Sequence, residues 1–320
     1  MSKSKAYGCV VISGLLACVG MLFLSAGCSS AGDRQKVVFR KYPNLKLGFT
    51  TKNFLDYMPV STENVKGLID YAGRQGFAWI ELRDPNAVLT LDECEEIADY
   101  AAGRNVEVGY AINAGLLDAD FWEKFYRGLP NAAAFGGPGT LRAVAGGSEF
   151  LTDLNKKWWT PGELARLVAN ADKAGQIARD NGLHLVVENG TEPLRGDGET
   201  LFGLAEFFEK AGPNVGWQFD TANFFSGARV RTKPQDAKAF LEKNIARLRY
   251  IHLKTSQDGL AQPVLGDSDL DFDIVFSLMS KHAIPYVAIE LHGTKNLDDV
   301  YKNQLKSIEY LQKQGFVSVQ

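Results

Sequence analysis

One stretch decides the fold: Leu183-His184-Leu185-Val186-Val187-Glu188-Asn189, an almost wholly apolar run that ends in a carboxylate and an amide. A run this short and this apolar is typical of a strand that is buried on both faces of a parallel sheet. The residues before it, Pro161–Asp180, have helical spacing, with Thr160 as N-cap and proline at the first helical position. A helix that leads directly into a buried strand indicates a βα repeat.

The same alternation continues in both directions from this stretch. The strand-like runs are Leu47–Thr51, Phe77–Arg83, Asn105–Asn113, Thr140–Gly146, Leu183–Glu188, Val215–Asp220, Arg249–Lys254 and Tyr286–Leu291. The helical patterns are Thr62–Arg74, Leu91–Gly103, a helix that begins at Asp120–Phe125, Pro161–Asp180, Thr200–Ala211, Pro234–Asn244, Phe272–His282 and Leu297–Lys313. Eight such repeats predict an α/β fold, a single (β/α)8 TIM barrel over residues 45–320. An open, doubly wound sheet is the alternative.

Residues 1–28 are predicted to be a targeting segment. Lys3 and Lys5 precede an apolar run over residues 9–24, which is shorter than a typical membrane-spanning helix. The end of the segment, Leu24-Ser25-Ala26-Gly27-Cys28, resembles a bacterial lipobox, although Ser25 stands where leucine is usual. The resemblance implies an exported lipoprotein that contacts the membrane only through lipid on Cys28, with residues 29–44 as a tether. Ordinary signal cleavage near Ala26 is the alternative.

The composition excludes some classes of partner and linkage. The net charge is -3 over 320 residues and the pI is about 5.9, so we expect no nucleic-acid partner, which usually requires a basic face. Removal of the signal and lipidation of Cys28 would leave Cys94 as the one remaining free thiol. The exported domain is therefore expected to have no disulfide and to depend on its core for stability.

Ionisable residues stand near the ends of four successive predicted strands: Glu188, Asp220, His252 and Glu290. Since the carboxyl ends of parallel barrel strands meet at one face, these side chains are expected to lie together. Burying them is costly unless they are paired or bind a metal ion. Three carboxylates and one imidazole suit one divalent ion, Mn²⁺, Mg²⁺, Co²⁺ or Zn²⁺. Pairing with arginine or lysine is the alternative.

The chain resembles the sugar isomerase/epimerase family with xylose-isomerase-like barrels, over about residues 45–315. The resemblance rests on the order and spacing of Gly76-Phe77-Ala78-Trp79-Ile80-Glu81-Leu82, His184–Asn189, Phe219-Asp220-Thr221, Ile251-His252-Leu253-Lys254 and Ile289-Glu290-Leu291-His292-Gly293. It implies that Glu188, Asp220, His252 and Glu290 bind the metal. It also implies that Glu188 and Glu290 act as an acid/base pair, which moves a proton beside a carbonyl through an enediolate.

Further residues are predicted to bind the substrate: Glu81, Glu192, Asn223, Lys254 and His292. Glu192 matches a place where epimerases of the family have a substrate-binding glutamate. Asn223 stands where many of these epimerases have a histidine, and because an amide carries no proton at neutral pH, it weakens the expectation of ketose 3-epimerase activity. Arg142, on the fourth predicted strand, could meet an anionic substrate.

The sequence therefore favours a metal-dependent isomerase or epimerase that acts on a free sugar or keto-sugar. A lyase or hydratase of 3-keto-glycosides needs the same first proton removal, and both export and Asn223 are compatible with it. A non-enzymatic, carbohydrate-binding lipoprotein is the third reading. A DNA-repair endonuclease on the same barrel is disfavoured, because that family uses a trinuclear zinc site rich in histidine and this chain has 4 histidines.

Overall fold

A closed ring of parallel strands forms the body of the protein. The computed structural model describes residues 35–146, 158–190, 192–227 and 232–320. The strands are β1 Val37–Phe39, β2 Lys46–Thr50, β3 Trp79–Arg83, β4 Glu107–Gly115, β5 Thr140–Val144, β6 His184–Glu188, β7 Val215–Asp220, β8 Leu248–Leu253, β9 Ser256–Gln257, β10 Leu260–Ala261, β11 Tyr286–Ile289 and β12 Val317–Val319. Strands β2 to β8 pair in sequence order, β8 pairs with β11, and β11 returns to β2. The predicted (β/α)8 barrel is confirmed.

Helices follow the barrel strands. They are α1 Lys52–Leu55, α2 Thr62–Gln75, α3 Leu91–Ala102, α4 Phe121–Ala133, α5 Pro161–Asp180, α6 Leu204–Lys210, α7 Pro234–Asn244, α8 Phe272–Lys281 and α9 Leu297–Lys313. Helices α3 and α5 begin with reciprocal capping boxes, Thr90 with Glu93 and Thr160 with Glu163. Each longer helix buries an apolar stripe, as expected of helices that cover a parallel sheet.

The barrel body begins earlier in the chain than the sequence predicts. Strand β1 pairs antiparallel with β12, and Val38 lies opposite Lys46, the first residue of β2. Val37 and Phe39 are buried. The predicted boundary at residue 45 is therefore too late, because this strand pair packs at the amino-terminal end of the barrel. The rest of the predicted tether, residues 29–34, and the predicted signal segment lie outside the described residues.

Trp79 fills the amino-terminal half of the barrel interior. It packs with Val186, Tyr250 and Ala288 in a buried cluster. The neighbouring strand β2 makes room for the indole, because a β-carbon on Gly48 would lie 2.6 Å from Trp79 Nε1. The indole N–H donates to the Val287 carbonyl at 3.2 Å. This layer is a solid floor beneath the opposite end of the barrel.

Two short elements follow β7 and β8 at the carboxyl end. Asn223–Gly227 forms a single turn of π-helix after β7, and β9 and β10 form a hairpin after β8 that packs against it. Turns of π-helix are frequent near functional sites. Within the described residues, no helix is long and apolar enough to cross a membrane.

Candidate metal centre

Four side chains converge at the carboxyl end of the barrel. One potential ligand atom from each of Glu188, Asp220, His252 and Glu290 lies within 4.8 Å of the others, and all four residues are buried. Glu188 and Asp220 end β6 and β7, His252 is the next-to-last residue of β8, and Glu290 directly follows β11. The convergence that the strand positions predict is present.

Each glutamate of this group has one carboxylate oxygen fixed by a buried cation. Arg142 Nη1 forms an ion pair with Glu188 Oε2. Lys254 Nζ lies 3.0 Å from Glu290 Oε1. The second oxygens, Glu188 Oε1 and Glu290 Oε2, lie 3.4 Å and 2.8 Å from His252 Nδ1. Each carboxylate is thus fixed by a cation through one oxygen and presents its other oxygen to a common centre.

Asp220 is fixed by the backbone. Its Oδ1 accepts hydrogen bonds from the N–H groups of Ala222 at 2.8 Å and Asn223 at 2.9 Å. Its Oδ2 lies 3.3 Å from Lys254 Nζ. Asn189 supports the same strand end, because its side chain accepts from the Asp220 N–H at 2.8 Å and donates to the Asp220 carbonyl at 3.0 Å.

Two buried atoms of the four converging side chains lack a hydrogen-bond partner among the described residues: His252 Nδ1 and Glu290 Oε2. They approach to 2.8 Å without the geometry of a hydrogen bond. Buried polar atoms are rarely left unsatisfied in native proteins, and such a gap calls for a water or an ion. A nitrogen lone pair and a carboxylate oxygen that face each other are suitable ligands for a cation, so these residues fit a divalent metal.

The charges around the centre lead to the same conclusion. Among the described residues, the carboxylates of Glu81, Glu188, Asp220 and Glu290 are joined in ion pairs to two cations, Arg142 and Lys254. Four negative charges against two positive ones leave a net charge of -2 when His252 is neutral. The alternative predicted for the site, pairing with arginine or lysine, is therefore realised in part, and what remains matches one divalent cation.

The same charges shift the pKa values of the group. Burial alone would raise the pKa of Glu290, but Lys254 and His252 hold it well below its usual range. Burial raises the pKa of Asp220 in spite of the nearby ammonium of Lys254. Burial opposes protonation of His252, yet Glu81 and Glu290 raise the pKa of the imidazole well above its usual value. Protons and a metal ion therefore compete for His252, so metal binding should weaken at low pH.

Comparison with known proteins identifies the family. The model of the xylose isomerase-like TIM barrel family matches residues 69–313. The chain belongs to this family. No curated protein matches the sequence.

Solved structures of xylose isomerase-like barrels are similar to this chain in fold. A sugar phosphate isomerase/epimerase from Parabacteroides distasonis is 14% identical, covers 85% of this chain and 96% of its own, and gives a TM-score of 0.62. A xylose isomerase-like TIM barrel protein from Mycobacterium smegmatis, in complex with magnesium, is 15% identical with coverages of 84% and 97% and a TM-score of 0.63. A D-psicose 3-epimerase from Clostridium cellulolyticum, with D-tagatose, is 12% identical with coverages of 85% and 94% and a TM-score of 0.56.

Lys254 and Asn223, which are expected to contact the substrate, lie beside the four candidate metal ligands. Lys254 Nζ contacts Asp220 and Glu290 and lies 3.3 Å from Asn223 Oδ1. Asn223 also donates to the Asn189 carbonyl at 2.9 Å. Their substrate contacts remain predictions.

Glu192 and His292 are also expected to contact the substrate. Both carboxylate oxygens of Glu192 accept backbone N–H groups, from Gly146 at 3.0 Å and Gly190 at 2.7 Å, so this side chain ties the ends of β5 and β6 together. His292 is exposed just after β11. For these two residues also, substrate contact remains a prediction.

The structure corrects two expectations about interior residues. Glu81 is 1% exposed and bonds to Arg142, Tyr250 and His252. It therefore lies beneath the four candidate metal ligands and is not a pocket residue. Arg142 is fully buried between Glu81 and Glu188, so the anions that it meets in the structure are these two carboxylates. The sequence signal that could have placed such residues in the interior was period-two alternation. It turns Trp79 and Glu81 of β3 to the same side, and likewise Tyr250 and His252 of β8.

Proposed function

We propose that the protein is a divalent-metal-dependent sugar isomerase or epimerase that moves a proton beside a carbonyl group. One observation carries the proposal: Glu188 and Glu290 are each held by a cation through one oxygen and turn the other toward a shared centre. Membership of the xylose isomerase-like family supports it. Similar structures named sugar phosphate isomerase/epimerase and D-psicose 3-epimerase support the substrate class.

Glu188, Asp220, His252 and Glu290 would hold the metal. The bound ion would polarise a substrate carbonyl and so make the adjacent C–H group more acidic. The set is compatible with Mn²⁺, Mg²⁺, Co²⁺ or Zn²⁺, and three oxygen ligands to one nitrogen favour the harder ions Mg²⁺ and Mn²⁺. A similar structure from Mycobacterium smegmatis contains magnesium and the similar IOLI protein contains zinc, so these neighbours support a divalent ion of either kind.

The two glutamates would carry the proton. Arg142 and Lys254 favour the ionised form of each carboxylate, since each cation lowers the pKa of its partner after burial has raised it. An ionised carboxylate can remove a proton from the carbon beside the carbonyl. Return of that proton by the same group at the neighbouring carbon, with the hydroxyl proton moving to the former carbonyl oxygen, would give isomerisation. Epimerisation would need the second carboxylate to take a proton from water and deliver it on the other face, and the first carboxyl to return its proton to water afterwards.

The test is deuterium exchange in D₂O. Purified protein with Mn²⁺ or Mg²⁺ is incubated with a panel of ketoses, aldoses and 3-keto-glucosides, and deuterium at carbon is measured by NMR. We expect incorporation beside the carbonyl, reduced by at least the 10²-fold typical of general acid–base groups in Glu188→Gln and Glu290→Gln. The matched control is Glu309→Gln, the same change at an exposed position of α9, which should exchange like the wild type.

The products separate the remaining possibilities. An epimer or the isomeric aldose supports the proposal, whereas an eliminated or hydrated product from the 3-keto-glucosides would assign lyase or hydratase activity to the same site. Metal binding without exchange on any member of the panel would contradict enzymatic function and favour a carbohydrate-binding role.

We also propose that the protein is exported and anchored by lipid at Cys28. The charged start, short apolar run and lipobox-like end of residues 1–28 support this. Labelling of bacterial cells with an alkyne fatty acid should mark the wild type and leave Cys28→Ala unlabelled. Release of unlabelled wild type in processed form would show ordinary signal cleavage instead.

A further inference from the structure

The carboxylate of Glu81 lies on the side of His252 that faces away from the candidate metal centre. Its Oε2 pairs with His252 Nε2, and its Oε1 accepts from Arg142 Nε at 3.1 Å and from the Tyr250 hydroxyl at 3.1 Å. Glu81 is 1% exposed and Arg142 and His252 are 0% exposed. The whole arrangement is therefore out of reach of bulk water and is fixed in orientation.

This contact determines which ring nitrogen is available. An ionised carboxylate is only an acceptor, so His252 Nε2 must carry the hydrogen that the pair shares. In the neutral imidazole, Nδ1 is then left with its lone pair, and Nδ1 is the atom that faces Glu188 Oε1 and Glu290 Oε2. Among the described residues, Nδ1 has no hydrogen-bond partner.

We infer that Glu81 is a positioning residue that sets the tautomer and ring orientation of His252 for metal binding through Nδ1, an inference that rests on the proposed metal site. Carboxylates on the far side of ligating histidines have this effect in metalloproteins, and their loss typically lowers metal affinity by about 10–100-fold. Arg142 extends the support, because its guanidinium bonds both Glu81 and the proposed ligand Glu188.

Substitution of Glu81 by glutamine tests the inference with little change of shape. Arg142 is only a donor, so the glutamine oxygen must face it, and the amide NH₂ then faces His252 Nε2. That nitrogen must now accept, which moves the ring hydrogen to Nδ1 and blocks the lone pair. Tyr250→Phe is the matched control, because it removes one bond to Glu81 Oε1 and leaves the bond between Oε2 and His252 in place.

Two measurements are needed. Calorimetric titration of the full metal-free protein with Mn²⁺ should show about 10–100-fold weaker binding in Glu81→Gln and binding like the wild type in Tyr250→Phe. NMR of ¹⁵N-labelled histidine in the Mg²⁺-loaded wild type should place the His252 hydrogen on Nε2. The second measurement needs no variant, so the inference stays testable if Glu81→Gln does not fold.

The outcomes distinguish the inference from the function on which it rests. Equal Mn²⁺ affinity in Glu81→Gln would overturn the role of Glu81 while leaving the metal site intact. A hydrogen on Nδ1 in the metal-loaded wild type would overturn both that role and metal binding through Nδ1. Equal loss of stability in both variants with unchanged affinity would assign Glu81 a purely structural role. Failure of the wild type to bind Mn²⁺ would instead overturn the metal site itself.

Discussion

The interior of the barrel has two neighbouring layers that are built from the same strands and differ completely in chemistry. The lower layer consists of Trp79, Val186, Tyr250 and Ala288. Two residues further along each of these chain segments the interior side chains are Glu81, Glu188, His252 and Glu290. Because side chains on one face of a strand recur every second residue, a single step along β3, β6, β8 and β11 replaces packing surface by ionisable groups.

This difference explains how the protein keeps three carboxylates and an imidazole together in the barrel interior. The lower layer closes the barrel beneath the ionisable layer, whose residues are at most 6% exposed. Electrostatic interactions are stronger in such a dry environment, which raises both the cost of unpaired charge and the attraction for a cation. A stable lower layer and a metal-dependent upper layer are therefore expected to respond to different perturbations.

Trp79→Ala should have the largest effect on stability. Removal of a buried aromatic side chain leaves a cavity and typically costs about 3–5 kcal/mol. Urea unfolding followed by circular dichroism measures the change, with Trp122→Ala on the outer, half-buried face of α4 as control. A loss in Trp79→Ala no greater than in Trp122→Ala would show that the lower layer is not the structural floor described here.

Metal removal should lower the stability of the protein by less than Trp79→Ala does. This loss should depend on the residues of the upper layer. A ligand that binds only the folded state at 100 times its dissociation constant stabilises by about 2.7 kcal/mol. Thermal unfolding with excess Mg²⁺ or Mn²⁺ and then with EDTA should reveal this difference in the wild type. In Glu290→Gln, which lacks one proposed ligand, the difference should shrink, and a metal-induced shift that is identical in both proteins would place the ion elsewhere.

The smallest effect on stability is expected from ionisation of Glu192, which lies at the edge of the upper layer. Burial raises its pKa to about 7, against the opposing backbone N–H groups. A raised folded-state pKa contributes stability that is present below the unfolded value of 4.5 and is lost as the pH rises through about 7. Wild type should therefore lose stability relative to Glu192→Gln between these pH values, by at most about 1.4 kcal/mol per pH unit.

Urea unfolding of both proteins across this pH range measures the difference between them. A constant difference would mean that Glu192 stays ionised throughout, held by the N–H groups of Gly146 and Gly190. An increase in the stability of the wild type relative to Glu192→Gln with rising pH would show a folded-state pKa below the unfolded one.

Much of the barrel could be predicted because its signals are local. Apolar runs bounded by helical patterns located all the barrel strands, including β5, and the strand ends placed the four candidate ligands together. Strands β1 and β12 could not be predicted in this way, because each is three residues long and they pair across almost the whole described chain. The turn of π-helix after Asp220 has no distinctive sequence pattern either.

The positions of Glu81 and Arg142 beneath the site could not be predicted from the sequence for a different reason. Arg142 stands alone in an apolar strand, and its partners Glu81 and Glu188 lie 61 and 46 residues away in the chain. A single sequence shows that such a charge must be compensated, but not by which residue. The alternation of interior side chains, once the barrel is accepted, is the signal that could have assigned Glu81 and Arg142 to the layer below the pocket.

We propose that the upper layer, together with Asp220 at the end of β7, binds one divalent ion between Glu188, Asp220, His252 and Glu290. The most direct measurement is an anomalous difference map from crystals of the protein soaked in Mn²⁺. We predict one strong peak per chain, in contact with His252 Nδ1 and with carboxylate oxygens of the three acidic residues, and its loss in crystals of Asp220→Asn. Absence of a peak at this position in the wild type, with Lys254 still bridging Asp220 and Glu290, would contradict metal binding by these four residues.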